Sequence, residues 1–198
     1  MKIISLLFFV VSFLTFPLYS QEHYWQQGIE YKMNIDFNHK KHQFNGTQNI
    51  KYFNNSPDEL NKVFMHLYYN AFQPGSMMDV RSRTIPDPDS RVMDRIYHLK
   101  ENEIGYQKIL SVKNRDVELS FIEDGTILEI NLKKPLKAGK TLKLDIAFKS
   151  QIPVQIRRTG RYNKENVAYS MTQWYPKMCE YDKDGWHTNP YIGREFYG

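Results

Sequence analysis

From Ile29 the chain alternates: Ile29, Tyr31, Met33, Ile35 and Phe37 are apolar, and each is followed by a polar or charged residue. A period of two gathers such residues on one face, so a half-buried strand is predicted. Beyond a polar loop over 38–43, Phe44, Gln48, Ile50 and Tyr52 again occupy alternate positions. Antiparallel pairing with Phe37 opposite Phe44 and Tyr31 opposite Ile50 satisfies both apolar faces in one register, which predicts a hairpin. Residues 62–70, KVFMHLYYN, are apolar on both faces, the pattern of a central strand covered on each side. Asp124-Gly125 predicts a two-residue turn. With Glu123 facing Thr126, the pairs Phe121–Leu128, Leu119–Ile130 and Val117–Leu132 then fall on one side. Leu142, Leu144, Ile146 and Phe148 predict a further strand, entered through a hairpin that Pro135 and Gly139 mark. Residues 91–104 fit one short helix. Residues 73–90, with three prolines, read as a long loop that is functional or covers a neighbour. Short strands joined by turns predict an all-β sandwich.

The first twenty residues depart from this pattern. Lys2 precedes an apolar run from Ile3 to Phe16, then Pro17 and a small residue, Ser20. The run is shorter than the ~20 residues of a spanning helix, so 1–20 is predicted to be a signal peptide cleaved near Ser20. The product is expected to be secreted or periplasmic, without a stable membrane span, and residues 21–198 are expected to form one domain.

Composition narrows the chemistry. The 198 residues carry 27 Lys plus Arg against 22 Asp plus Glu, a net charge of +5, without any long basic run. A nucleic-acid partner is therefore not expected. The single cysteine, Cys179, excludes an intrachain disulfide framework and a multi-cysteine metal site. None of the six histidines opens an H-E-x-x-H helix. His39 and His42 read as members of a solvated hairpin loop, and His66 as a hydrogen-bonded core histidine. There is no G-x-S-x-G nucleophile turn. Cys179 and His187 lack a third group to orient them, so Cys179 reads as a packed residue. Asp182-Lys183-Asp184-Gly185 lacks the remaining ligands of a calcium loop and reads as a tight turn. Aromatic residues make up 15% of the chain, and the last quarter gathers Trp174, Tyr175, Tyr181, Trp186, Tyr191 and Phe196. Such a cluster is a packing surface against another domain or a ligand platform.

That last segment, MTQWYPKMCEYDKDGWHTNPYIGREFYG, resembles the end of the N-terminal β domain of the aminopeptidase N family, the M1 zinc metallopeptidases or gluzincins, in its secreted bacterial form. Upstream, the strand from Tyr31 to Asp36, the Phe44-Asn-Gly-Thr strand, the Leu67-Tyr-Tyr-Asn-Ala-Phe segment and the Pro135-Leu-Lys-Ala-Gly turn follow a similar order, so the resemblance runs from about Gln27 onward. It implies a saddle-shaped β-sandwich that packs on a thermolysin-like catalytic domain and helps wall its active site. It also implies that Gln173 contacts the N-terminal side of a peptide substrate, with an amide that both donates and accepts. The family's zinc ligands, its general-base glutamate and its G-x-M-E-N motif have no counterpart here. Accordingly no catalytic residue, metal ligand or cofactor is assigned to this chain. Zinc is expected in a missing catalytic domain, supplied in cis, or in trans if the gene is split. The sandwich is expected to be incomplete at its C-terminal end, and the chain alone inactive, with an open sheet edge and an exposed aromatic surface. The alternative is a stand-alone secreted module that binds peptide or carbohydrate through the aromatic tail.

Overall fold

The computed structural model describes residues 24–193, so the signal-peptide segment lies outside the described residues. β1 (Gly28–Asn38) and β2 (Gln43–Phe53) form the predicted hairpin, with Phe37 opposite Phe44 and Tyr31 opposite Ile50. β3 (Leu60–His66) stops before the predicted Asn70, because a 3-10 turn over Tyr68–Ala71 takes the rest. Asn70 fixes that turn: its Oδ1 accepts from the Gln107 amide at 2.7 Å and its Nδ2 donates to the Gly125 carbonyl at 3.0 Å.

The predicted 73–90 loop contains a helix, α1 (Met77–Thr84), and 91–104 contains turns rather than the predicted helix. Ser76 caps α1 by accepting from the Asp79 N–H at 3.2 Å. Asp79, buried one turn in, takes both arms of Arg83 at 2.9 and 3.1 Å. In the 91–104 stretch Met93 sits at φ 43°, a left-handed conformation that a helix cannot pass through.

β4 (Tyr106–Asn114), β5 (Val117–Glu118), β6 (Phe121–Asp124), β7 (Ile127–Leu136) and β8 (Thr141–Gln151) complete the long strands. The Asp124-Gly125 turn exists, but its register differs from the predicted one by two residues. Asp124 faces Ile127 and Phe121 faces Ile130, leaving Gly125 and Thr126 as the loop. Gly125 takes φ 54°, the positive value required at the first loop position of a tight hairpin. The pairs expected at Leu119 and Val117 do not form, because the chain changes sheets there: Val117 pairs with Asn114 of β4, whereas Phe121 joins β7. Pro135 and Gly139 likewise mark a crossing between sheets rather than a hairpin. Leu136 pairs with Leu60, and β8 pairs with β2 and β4. Buried Asn54 anchors that crossing, accepting from Gly139 N at 2.7 Å and donating from Nδ2 to Leu136 O at 3.1 Å.

Short pairings follow: β9 (Gly160–Arg161) with β10 (Tyr169–Ser170), β11 (Lys177–Met178) on β3, and β12 (Tyr181–Asp182) with β13 (Gly185–Trp186). The result is the all-β sandwich expected, a five-stranded sheet ordered β1-β2-β8-β4-β5 and a four-stranded sheet ordered β11-β3-β7-β6. Alternation fills the space between them. Phe44, Ile50, Tyr52, Leu144, Ile146 and Phe148 of one sheet meet Val63, Met65, Leu128 and Ile130 of the other. A second, smaller apolar cluster of Phe72, Met78, Val92, Ile96 and Ile156 lies beneath the 72–104 segment.

Candidate functional site

The segment from Tyr169 to Gly193 closes the open flank of the sandwich, and three buried side chains hold its irregular backbone in place. Gln107 of β4 donates to the Trp174 carbonyl at 2.8 Å, and its own carbonyl accepts from Tyr69 N at 3.3 Å. Gln48 of β2 donates to the Pro176 carbonyl at 3.1 Å. Thr159 Oγ1 lies 3.1 Å from the Ser170 carbonyl and 3.2 Å from that of Thr172. Backbone groups that leave a sheet need partners wherever water is excluded, and these side chains supply them. From Pro176 the chain reaches the edge of the second sheet, where Lys177 faces His66 and Cys179 N donates to Phe64 O at 2.9 Å.

Gln173 sits between two of these anchored carbonyls. It occupies the left-handed region at φ 54°, an uncommon conformation for a residue with a side chain, and it is half-buried. Its amide makes no hydrogen bond among the described residues. The backbone is thus held on both sides of a residue whose polar group is left uncommitted.

The described aromatic residues of the segment pack on the domain's own core and remain partly exposed. Trp174 lies edge-on to Phe44 at 5.6 Å, and Tyr175 edge-on to Tyr31 at 5.4 Å. Trp186 stacks on Tyr52 at 6.0 Å, and Tyr191 stands edge-on to Tyr68 at 5.2 Å. Phe196 lies outside the described residues. Asp182 to Gly185 forms the tight turn expected, with Asp184 N donating to Asp182 Oδ1 at 2.8 Å. His187 contacts the same carboxylate at 2.8 Å, and that contact holds the Asp182 carboxyl below its ordinary pKa.

The other histidines divide. His39 is exposed, as read, but His42 is not simply solvated: Nδ1 lies 2.7 Å from the Tyr169 hydroxyl and Nε2 2.8 Å from that of Tyr162. Burial, with Arg161 and His39 adding to it, lowers the His42 pKa. His66 is buried in the core as expected, yet it is not hydrogen-bonded. Both ring nitrogens lack a partner among the described residues, and the ring stacks on Tyr68 at 4.9 Å. Burial first, and Lys177 second, push its pKa down to about 4. Cys179 is packed at 1% exposure, and burial pushes its thiol up to about 12, so it is no nucleophile at neutral pH.

No group of three His, Cys, Asp or Glu side chains converges among the described residues, so the donors present do not fit zinc. Among those residues, no helix is long and apolar enough to cross a membrane. Two of the concavities among the described residues are roomy enough for a ligand. One, of about 890 Å³, lies between the 73–77 loop and the β6–β7 hairpin and is lined by Phe64, Met77, Lys108, Ile122 and Glu129 among others. The other, of about 1110 Å³, gathers Tyr24, Trp25, Asp58 and Asp182, with Trp25 stacked on Tyr181 at 5.9 Å. Sequence reasoning missed both hollows and the glutamine anchors. A polar residue in phase with an apolar strand face, as Gln48 is, was the available signal for the anchors.

A scan against protein-family models matched none, and a search of curated proteins likewise found no match. Among solved structures, the chain is similar to the M1 zinc metallopeptidase of Deinococcus radiodurans, with 11% identity and a TM-score of 0.46 over 76% of this chain and 27% of that one. It is also similar to a two-domain M1 zinc metallopeptidase bound to L-arginine, with 11% identity and a TM-score of 0.48 over 77% of this chain and 29% of that one. With the L-tryptophan complex the values are 13% and 0.45 over 80% and 28%. The chain thus spans between about a quarter and three-tenths of the length of these structures.

Proposed function

We propose that this chain is the N-terminal, non-catalytic β domain of a secreted zinc metallo-aminopeptidase, an enzyme that removes N-terminal residues from peptides. In this reading the domain provides scaffold, cleft wall and a substrate contact through Gln173, while the zinc and its ligands belong to a catalytic domain joined to it. The observation that carries the reading is the state of Gln173. At the position where the resemblance puts a substrate-contacting glutamine, the backbone is fixed by Gln107 and Thr159 on either side and the amide is uncommitted. A strained residue with an unused donor and acceptor is a feature of binding sites more than of passive surface. The all-β sandwich accords with the same reading.

The genomic reading frame through Gly198 tests the assignment. The expected result is a continuous frame that encodes G-x-M-E-N and H-E-x-x-H. A stop codon followed by an unrelated gene contradicts it and favours the self-contained peptide- or carbohydrate-binding module.

A further inference from the structure

The outer edge of the five-stranded sheet is β1, and this edge makes no backbone hydrogen bond among the described residues. It is long and apolar on one face: Ile29, Ile35 and Phe37 remain 37%, 39% and 41% exposed although they point to the sandwich side of the sheet. A bare edge of this kind is a template for another strand. We propose that it pairs with the same strand of a second copy, joining the two five-stranded sheets into one across a two-fold axis.

The charges on β1 choose the register. In a two-fold antiparallel pair, residues that point their N–H and C=O outward must face residues that do the same. Such residues alternate, so only registers centred on a residue are open. Centring on Met33 gives the longest overlap but sets Glu30 against Asp36 of the second copy, and centring on Lys32 sets two lysines face to face. Centring on Tyr31 leaves Ile35 and Phe37 uncovered and calls on Glu30, which Lys51 already engages at 2.7 Å. Centring on Ile35 makes no charge pair. Centring on Asn34 overlaps residues 30–38 of both copies and sets Lys32 opposite Asp36 of the second copy, twice over. The same register sets Tyr31 opposite Phe37 and Met33 opposite Ile35, so it covers Ile35 and Phe37 and leaves only Ile29 outside the overlap. Lys32 and Asp36 are exposed, and neither has an ion-pair partner among the described residues.

The test is sedimentation equilibrium on the chain recovered after export, with three variants. The wild type is expected at twice the mass of one chain. Lys32→Asp alone and Asp36→Lys alone each bring like charges together at two places and are expected to raise the dimer dissociation constant about tenfold or more. The double variant restores the complementary pairing and is expected to return to within about threefold of wild type. Circular dichroism confirms that each variant is folded, since both positions are exposed. A monomeric wild type overturns the proposal, as do single variants without effect or a double variant that fails to recover. A longer product that stays monomeric because one of its own strands occupies this edge overturns it as well. None of these outcomes depends on the peptidase reading.

Discussion

At the scale of single residues, His66 links burial to a solution property. Its folded pKa is about 4 against an ordinary 6.5, with burial the main cause and Lys177 the second. The unfolded chain therefore takes up a proton that the folded chain refuses. The stabilisation is complete above pH 6.5 and is lost progressively as pH falls toward 4, by up to about 3 kcal/mol. His66→Phe keeps a ring beside Tyr68 but cannot titrate. Denaturant midpoints measured across that range are expected to slope for wild type and to flatten for the variant, and equal slopes would contradict the assignment. Gly46 carries a steric counterpart. A Cβ there would overlap Cζ of Phe148 and lie 3.0 Å from Cδ1 of Ile35, because the Phe148 ring crosses the bare backbone of β2. Gly46→Ala is expected to cost about 2 kcal/mol, or roughly 4–8 °C in Tm, as neighbours are displaced. A calorimetric Tm within a degree of wild type would mean that the ring moves aside freely.

At the scale of elements, the closing segment depends on amides inside the sheets. Gln107→Leu fills the same volume but leaves the Trp174 carbonyl and the Tyr69 N–H without partners. A loss of about 1–3 kcal/mol is expected, together with faster hydrogen exchange or proteolysis in 170–178 than in β2 or β8. Equal protection of the segment in both proteins would remove its dependence on Gln107. The elements also differ in how much of their arrangement the sequence records. The β1–β2 hairpin was legible to the residue, because period-two alternation and a short polar loop admit one register. The Asp124-Gly125 turn was visible but its register was not, since either residue of the pair is acceptable beside a tight loop and the apolar pairs beyond it looked equally good. The crossing at Pro135 and Gly139 resembled a hairpin because local turn chemistry does not say which sheet the next strand joins. Asn54, far back in the chain, decides that. Helix α1 escaped notice because it is short, and its stability rests on the Ser76 cap and the Asp79–Arg83 pair rather than on apolar periodicity.

At the scale of the whole molecule, the sandwich was legible because many short alternating strands leave few other ways to bury their faces. The candidate site was legible only through resemblance. Nothing in the pattern around Thr172-Gln173-Trp174 announces a left-handed residue between two anchored carbonyls, since the anchors lie on β4 and in the loop before β9, distant in sequence. The aromatic tail was conspicuous, but its orientation was not. Its described rings pack on the domain's own core, and Gln173 among them keeps a half-buried amide with no partner among the described residues. That combination is the basis for reading the chain as the wall of a peptidase cleft. The decisive measurement is steady-state hydrolysis of aminoacyl-p-nitroanilides by the intact product of the reading frame, with Gln173 and with Gln173→Ala. Zinc-dependent turnover is expected in both, with KM raised about tenfold in the variant, the loss of roughly one hydrogen bond to substrate, and kcat little changed. An unchanged KM, or no zinc-dependent turnover in the wild type, would contradict that reading.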